Sequence, residues 1–398
     1  MGEWPEVPLR ALADSAGLVG GPFGSSLVGS DYVEAGIPVI RGNNLNYGRG
    51  IAGEFAFVTS EKFERDLARN SAARGDVIYT QRGTLGQVAL VESEEYERYV
   101  VSQSQMRLRV SKSLADVRYV YYASKSTGFL RQVEDNAIAT GVPHTNLGIL
   151  ARLTIPLPPL PEQRAIAEVL GALDDKIAAN TRLVNTAESL AVALSSSAPP
   201  SIALDRIATA TRVMIDPASG DGAVVDLFSL PGFDAGQIPE RVEPSSIKSG
   251  KFLIERPAVL VSKLNPRIPR IWEVPELSQV ASVASTEFVV LNPKDTSTSA
   301  LWALLSQQSF SATLESMVAG TSGSHQRVKP DQIMSTLVGD PASLSDSERH
   351  RIDALCRCAY AARRENLTLA ATRDALLPAL MSGKISVCSA ERLAGNLV

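Results

Sequence analysis

The chain has 398 residues, a hydrophobic fraction of 44% and a formal net charge of −4. That length predicts two or three domains with enough apolar chain for separate cores, and no apolar run approaches the ~20 residues of a membrane-spanning helix. The acidic balance excludes a broadly basic nucleic-acid-binding domain: residues 1–155 carry −1, 156–199 carry −2, 200–340 carry −3 and 341–398 carry +2. Any DNA contact must therefore come from local clusters. The three cysteines, Cys356, Cys358 and Cys388, fit neither a disulfide framework nor a zinc-ligand spacing. The opening Met1-Gly2-Glu3-Trp4 lacks the charged and apolar regions of a signal peptide. Together these predict a reducing, cytoplasmic location.

Residues 1–155 read as a first globular region. Gly20-Gly21-Pro22-Phe23-Gly24-Ser25-Ser26 is a turn-rich loop, because glycines on both sides of a proline end regular structure. Ile37–Arg41 reads as a short strand that runs into a polar loop with Asn43 and Asn44. Asp76–Thr84 and Gly86–Val91 form a hairpin with Gln81, Arg82 and Thr84 at its tip. Tyr99–Val110 alternates, with Gln103, Gln105, Arg107 and Arg109 on one face; period-two alternation predicts that this face is solvated or turned to a ligand. Val117–Gln132 is helical in period, and a polar loop with His144 follows.

Residues 156–199 hold a long helix. Pro161 suits its first turn and Glu162 complements the helix dipole. Apolar positions Ile166, Val169, Leu173, Leu183, Leu190 and Leu194, with Asn180 on the same stripe, predict one packed seam. From Pro161 to Ser196 the helix would run about 50 Å, far beyond the usual length, and so must lie against something equally long. The partner is a second helix within 341–398. An ungapped slide of 186 positions lays Ile352 on Ile166, Asn366 on Asn180, Leu369 on Leu183, Leu376 on Leu190 and Leu380 on Leu194, with Leu355 on Val169. A buried Asn in such a seam fixes register at some cost in stability. Ser343 or Ser345 with Glu348 is expected to start this helix, and Gly383 to end it.

Between the helices, residues 200–340 read as a second globular region. Residues 248–270 carry Lys248, Lys251, Arg256, Lys263, Arg267 and Arg270 against Glu255 alone, the one strongly basic stretch. Val280–Leu291 alternates around Ser285-Thr286-Glu287-Phe288, and Ala300–Val318 is helical in period. A Gly/Ser loop then presents Ser322, His325, Gln326 and Arg327. The fold class expected is α+β: two globular α/β-type regions separated by a pair of long, antiparallel, coiled-coil-like helices.

At this point the residues carry a resemblance. GGPFGSSL (20–27), DYVEAGIPVIRGNN (31–44), the Gln81–Gly86 hairpin and above all IPLPPLPEQRAIAEVL (155–170) resemble the specificity subunit of type I restriction–modification systems. So do SKLNPRIPRIW (262–272), STEF (285–288), GTSGSHQRV (320–328) and LLPALMSGKI (376–385), while LSDSERHRI (344–352) departs from the family's usual second-helix opening. The resemblance implies that 1–155 and 200–340 are target-recognition domains, each reading half of a split double-stranded DNA site. The conserved helices, in 156–199 and 341–398, would set the spacing and dock two modification subunits, and a motor-nuclease restriction subunit can join. It implies that S-adenosylmethionine binds the modification subunit and that this chain binds no cofactor or metal and has no catalysis of its own. The sequence agrees: Asn265-Pro266 runs into Arg267 and Asn292-Pro293 into Lys294, so no Asn/Asp-Pro-Pro-aromatic methyltransferase motif is present. Ser249-Gly250-Lys251-Phe252 is not a phosphate loop.

The residues expected at DNA are Arg41, Asn43, Asn44, Gln81, Arg82, Thr84, Gln103, Gln105, Arg107 and His144 in the first region, and Lys263, Arg267, Arg270, Ser322, His325, Gln326 and Arg327 in the second. Two other readings are a coiled-coil adaptor that binds only protein, which leaves the 248–270 cluster unexplained, and a self-sufficient nucleic-acid-modifying enzyme, which lacks paired acids or a cofactor loop.

Overall fold

A computed structural model describes residues 4–45, 48–93, 95–138, 143–219, 224–318 and 326–395. The chain divides into two compact units, residues 1–179 with 365–398, and residues 180–364. Each unit contains part of both long helices, which span Leu160–Ser195 and Asp346–Met381.

In the first unit a four-stranded antiparallel sheet has the order Ala13–Gly20, Gln105–Val110, Asp76–Thr80, Val88–Leu90. A five-stranded sheet has the order Tyr32–Val33, Ala56–Val58, Ile37–Ile40, Tyr99–Val101, Ser71–Ala72, with its one parallel pair between Ile37–Ile40 and Tyr99–Val101. Glu6–Pro8 pairs with Thr154–Pro156 to close the base.

The second unit repeats this plan. Its four-stranded sheet runs Ala208–Ala210, Phe288–Pro293, Ala258–Ser262, Ile271–Val274. Its five-stranded sheet has one parallel pair, Val225–Phe228 with Ser282–Ala284, and Pro200–Ala203 pairs with Leu337–Gly339. Two short helices follow Gln105–Val110 in the first unit and Phe288–Pro293 in the second. The segments expected as single helices are each broken in two: Val117–Ser124 and Thr127–Asp135, Thr298–Leu305 and Gln308–Ser316. In the first, Ser126 interrupts by capping the following turn, its Oγ accepting from Phe129 N at 3.3 Å.

Within each unit the long helices pack against each other in opposite directions. In the first, Ile166, Val169, Leu170 and Leu173 share a core with Leu369, Leu376 and Leu380. In the second, Val184 and Ala187 meet Ala359 and Ala362, and Ala191, Ile352 and Cys356 join the larger core. The expected capping box is present: Ser345 N donates to Glu348 Oε2 at 2.8 Å and Glu348 N to Ser345 Oγ at 3.3 Å. Gly383 ends the helix at φ +65°.

Two seam positions need correction. Leu183 and Leu190 are 44% and 48% exposed. Alternating steps of four and three from Ile166 lead to Leu170, Leu173, Ile177, Asn180, Val184, Ala187 and Ala191; Leu183 and Leu190 lie one residue, about 100°, off that line. Asn180 is buried, Leu194 and Leu355 are half-buried, and Asn366 Nδ2 donates to Ile177 O at 3.4 Å. Leu183→Ala should therefore change stability by less than about 0.5 kcal/mol, whereas Val184→Ala, which removes two buried methyl-sized groups, should cost about 1.5 kcal/mol. Denaturant midpoints of the two variants test this pair.

Candidate nucleic-acid interface

Five loops far apart in sequence meet at one edge of the first unit. Backbone hydrogen bonds join them. Gly21 N donates to Gln105 O at 3.0 Å, Ser102 N to Ile40 O at 3.0 Å, Gln81 N to Ser104 O at 2.7 Å and Thr145 N to Gln81 O at 2.9 Å. Arg82 and His144 form a β-bridge. The Gln103 amide then ties down the 20–27 loop, donating to Gly24 O at 2.9 Å and Leu27 O at 3.1 Å. The result is a framed edge that exposes Phe23, Asn43, Arg82, Thr84 and Gln103, with Arg41, Gln81 and His144 half-buried beside them. Arg82 forms no ion pair among the described residues. Three buried polar atoms of this frame, Arg41 Nε, Gln105 Nε2 and Thr145 Oγ1, have no hydrogen-bond partner among the described residues.

Three expected contacts are spent inside the protein. Asn44 is fully buried: its Oδ1 accepts from Arg41 N at 2.9 Å and its Nδ2 donates to Ala52 O at 2.9 Å, so it shapes the loop instead of facing outward. Gln105 is fully buried and pairs with Ser102 Oγ. Arg107 is buried, donating to Ser71 O and Ala16 O at 2.8 Å each, and burial pulls its pKa down. The alternation of 99–110 suggested a wet face, but a turn at Ser102–Ser104 splits the segment and the strand Gln105–Val110 is covered on both faces. Arg109 is engaged too, bidentate on Asp76 at 2.8 and 2.7 Å.

The second unit carries the same frame with other side chains. Lys263 N donates to Glu287 O at 2.8 Å, where Gln81 N donates to Ser104 O; Val328 N donates to Lys263 O at 3.0 Å, where Thr145 N donates to Gln81 O. Leu264 and Arg327 form the β-bridge that Arg82 and His144 form. Ser285 N donates to Phe228 O at 2.9 Å, as Ser102 N does to Ile40 O. Position by position, Gln81 answers to Lys263, Ser104 to Glu287 and His144 to Arg327.

The basic stretch is less positive than its composition suggests. Arg327 is bidentate on Glu287 at 3.0 and 2.9 Å, and the guanidinium holds that carboxyl below its usual range. Arg270 is bidentate on Asp234 at 2.7 and 2.9 Å, Arg267 lies 3.3 Å from Glu315, and Arg256 donates to Asn292 Oδ1 at 3.1 Å. Lys263 is half-buried and forms no ion pair among the described residues. The Gln326 carbonyl accepts from Asn265 N at 2.9 Å. Ser322 and His325 lie outside the described residues. Sequence reasoning missed Glu287 as the partner that orients Arg327, and it treated Phe23 only as part of a turn.

Among the described residues, no group of three His, Cys, Asp or Glu side chains is placed to hold a metal ion, and no helix is long and apolar enough to cross a membrane.

Comparison with known proteins agrees with this architecture. A family model for the type I restriction modification DNA specificity domain matches residues 24–189. The specificity subunit of the type I restriction enzyme MjaVIII of Methanocaldococcus jannaschii is 33% identical over 79 residues, a stretch that makes up 20% of this chain and only 18% of that protein. The crystal structure of a type I restriction–modification S subunit from M. genitalium shares the fold, with a TM-score of 0.57 at 15% identity over 95% of this chain and 96% of its own. Residues 24–189 are thus similar to the type I restriction modification DNA specificity domain, and the fold is that of a solved type I S subunit.

Proposed function

We propose that this chain reads DNA sequence for a type I restriction–modification complex, with the β-rich domains of residues 1–155 and 200–340 each recognising one half of a split duplex target. The observation that carries this reading is the repetition of one hydrogen-bonded frame with different side chains at its edge. Phosphate contacts position a protein on DNA, whereas side chains at base edges specify the sequence. A constant frame with variable side chains is what reading two different half-sites requires.

In the first domain Asn43, Gln81, Arg82, Thr84 and Gln103 are the residues placed to meet bases or phosphates, with Arg41 and His144 behind them. In the second, Lys263 takes the place of Gln81 and Arg327 that of His144, with Gln326 and Arg267 as further contacts. Gln and Asn can pair bidentately with adenine and Arg with guanine in the major groove. The acidic chain supplies few free cations, so much of the phosphate charge falls to partner subunits. The long helices of 156–199 and 341–398 set the gap between the half-sites and dock two modification subunits. S-adenosylmethionine binds those subunits, which methylate adenine; a restriction subunit can complete the assembly. The chain itself contributes recognition and no catalysis.

Incubation with S-adenosylmethionine and DNA tests the division of labour. The isolated chain should methylate nothing, and the chain co-purified with its modification subunit should methylate specific sites. Methylation by the isolated chain would overturn the proposal.

A further inference from the structure

We infer that Phe23 is a base-contacting apolar finger of the first recognition domain, seating its ring against the apolar surface of a nucleobase in the first half-site. This rests on the reading that the framed edge receives duplex DNA.

Phe23 is 84% exposed, the most exposed large hydrophobic side chain among the described residues. A lone exposed apolar residue is unremarkable on a protein surface; two features set this one apart. The first is that its loop cannot fold back to hide it. Gly21 is bonded to Gln105, Asn70 Nδ2 donates to Gly20 O at 2.7 Å, and the Gln103 amide holds both Gly24 O and Leu27 O. Gly24 takes φ +57°, a conformation that favours glycine and fixes the turn after Phe23. The ring is thus held out on a braced support, on the loop that Gln103 ties down.

The second feature is recurrence. Leu18 pairs with Leu108, three residues past Gln105, and Ala210 pairs with Leu291, three residues past Phe288. Counting on from those pairs, Val213 and Met214 fall where Gly21 and Pro22 do. They are 47% and 56% exposed. Both domains thus leave apolar side chains exposed near this step, although Met214 lies on the edge strand Met214–Ile215, paired with Lys251–Phe252, where the first domain has a loop.

An aromatic ring offers no charge to a phosphate. Its partners on DNA are the thymine 5-methyl group in the major groove or a base step opened to admit it. Such a contact carries sequence preference and adds nothing to the salt dependence of binding.

The experiment compares complexes of the modification subunits with the wild-type chain, Phe23→Ala and Met214→Ala. The duplex is one carrying the split motif that the wild-type complex methylates, and binding is measured across a salt series. Phe23→Ala should weaken binding about tenfold with the salt slope unchanged, and should relax the preference at one position of one half-site. Met214→Ala should relax the other half-site instead. Replacing thymidine by deoxyuridine at the affected position should weaken the wild type and not Phe23→Ala if the ring meets the methyl group; equal loss in neither protein assigns the ring to a base step. Wild-type affinity and preference in Phe23→Ala would overturn the inference. So would loss of the modification subunits from the Phe23→Ala complex, since the ring would then face protein. If the wild-type complex methylates no split motif, the underlying reading fails, whatever Phe23 does.

Discussion

Gly21→Ala should abolish recognition of one half-site while leaving the fold standing. A Cβ at Gly21 would lie 2.0 Å from Ser102 O, 2.6 Å from Ser102 C and 2.7 Å from Gln103 Cα, all backbone atoms that cannot swing aside. The 20–27 loop must lift off the Ser102–Gln105 turn, which breaks the Gly21–Gln105 hydrogen bond and the two bonds from Gln103. A shift of about 1 Å in a positioning element can cost on the order of 100-fold in rate, so methylation of the split target by the assembled complex should fall by that much. Overpacking of this kind costs about 1–3 kcal/mol of stability, less than a domain of this size holds. Gly20→Ala is the control: its Cβ would meet only Gln81 Oε1, at 3.8 Å, and activity should stay within about twofold of wild type, an effect under ~0.5 kcal/mol. Equal activity in the two variants would show that the 20–27 loop takes no part in recognition.

The second large effect is expected at the helix pair. In the first unit Arg373 Nη1 donates to Asp174 Oδ1 at 2.7 Å and Tyr122 Oη to Asp174 Oδ2 at 2.7 Å, so one carboxylate joins both helices to the short helix of the recognition domain. Asp174 is 9% exposed. Close by, Arg49 donates to Glu92 Oε2 and to Asp175 Oδ1, both at 2.7 Å, and to Gly171 O at 3.5 Å, tying the segment before Ala56 and the one after Leu90 to the same stretch of helix. Asp174→Ala leaves Arg373 with the exposed Asp374 alone and leaves the buried Tyr122 hydroxyl, which still accepts from Arg49 Nη1 at 3.3 Å, with no acceptor for its proton. Breaking one side of a buried pair costs about 3–5 kcal/mol; with Arg373 partly reached by solvent, about 3 kcal/mol is expected. Asp174→Ala combined with Arg373→Met should recover part of that loss, because the stranded charge is gone. Denaturant unfolding of the single and double variants measures both values. A single-variant loss below about 0.5 kcal/mol, the size of a surface pair, would mean that solvent already screens this contact.

The two long helices were legible in the sequence because their periodicity, the Ser345–Glu348 cap and the terminal Gly383 all point the same way. Their seam was only partly legible. Leu183 and Leu190 drew attention as leucines, but the helix turns Val184, Ala187 and Ala191 inward, and small residues at Ala359 and Ala362 meet them. Phase, not residue size, decides which face is buried. The frame at each domain's edge could not be read at all. It consists of backbone bonds between residues such as Gly21 and Gln105 or Lys263 and Val328, which leave no mark on side-chain identity. For the same reason the residue-by-residue match between the two domains was hidden: Gln81 and Lys263, or His144 and Arg327, occupy equivalent places without resembling each other. Gln105 and Arg107 misled because alternation marks the two faces of a strand but does not say whether the second face is wet; here buried carbonyls take the place of water around the Arg107 guanidinium.

The most direct test of the central claim is to purify this chain with its modification subunit and map adenine methylation on a random-sequence DNA library. The account predicts a single target made of two fixed blocks separated by a gap of constant length. Methylation at one continuous motif, or at no defined motif in a complex that holds both subunits, would contradict it.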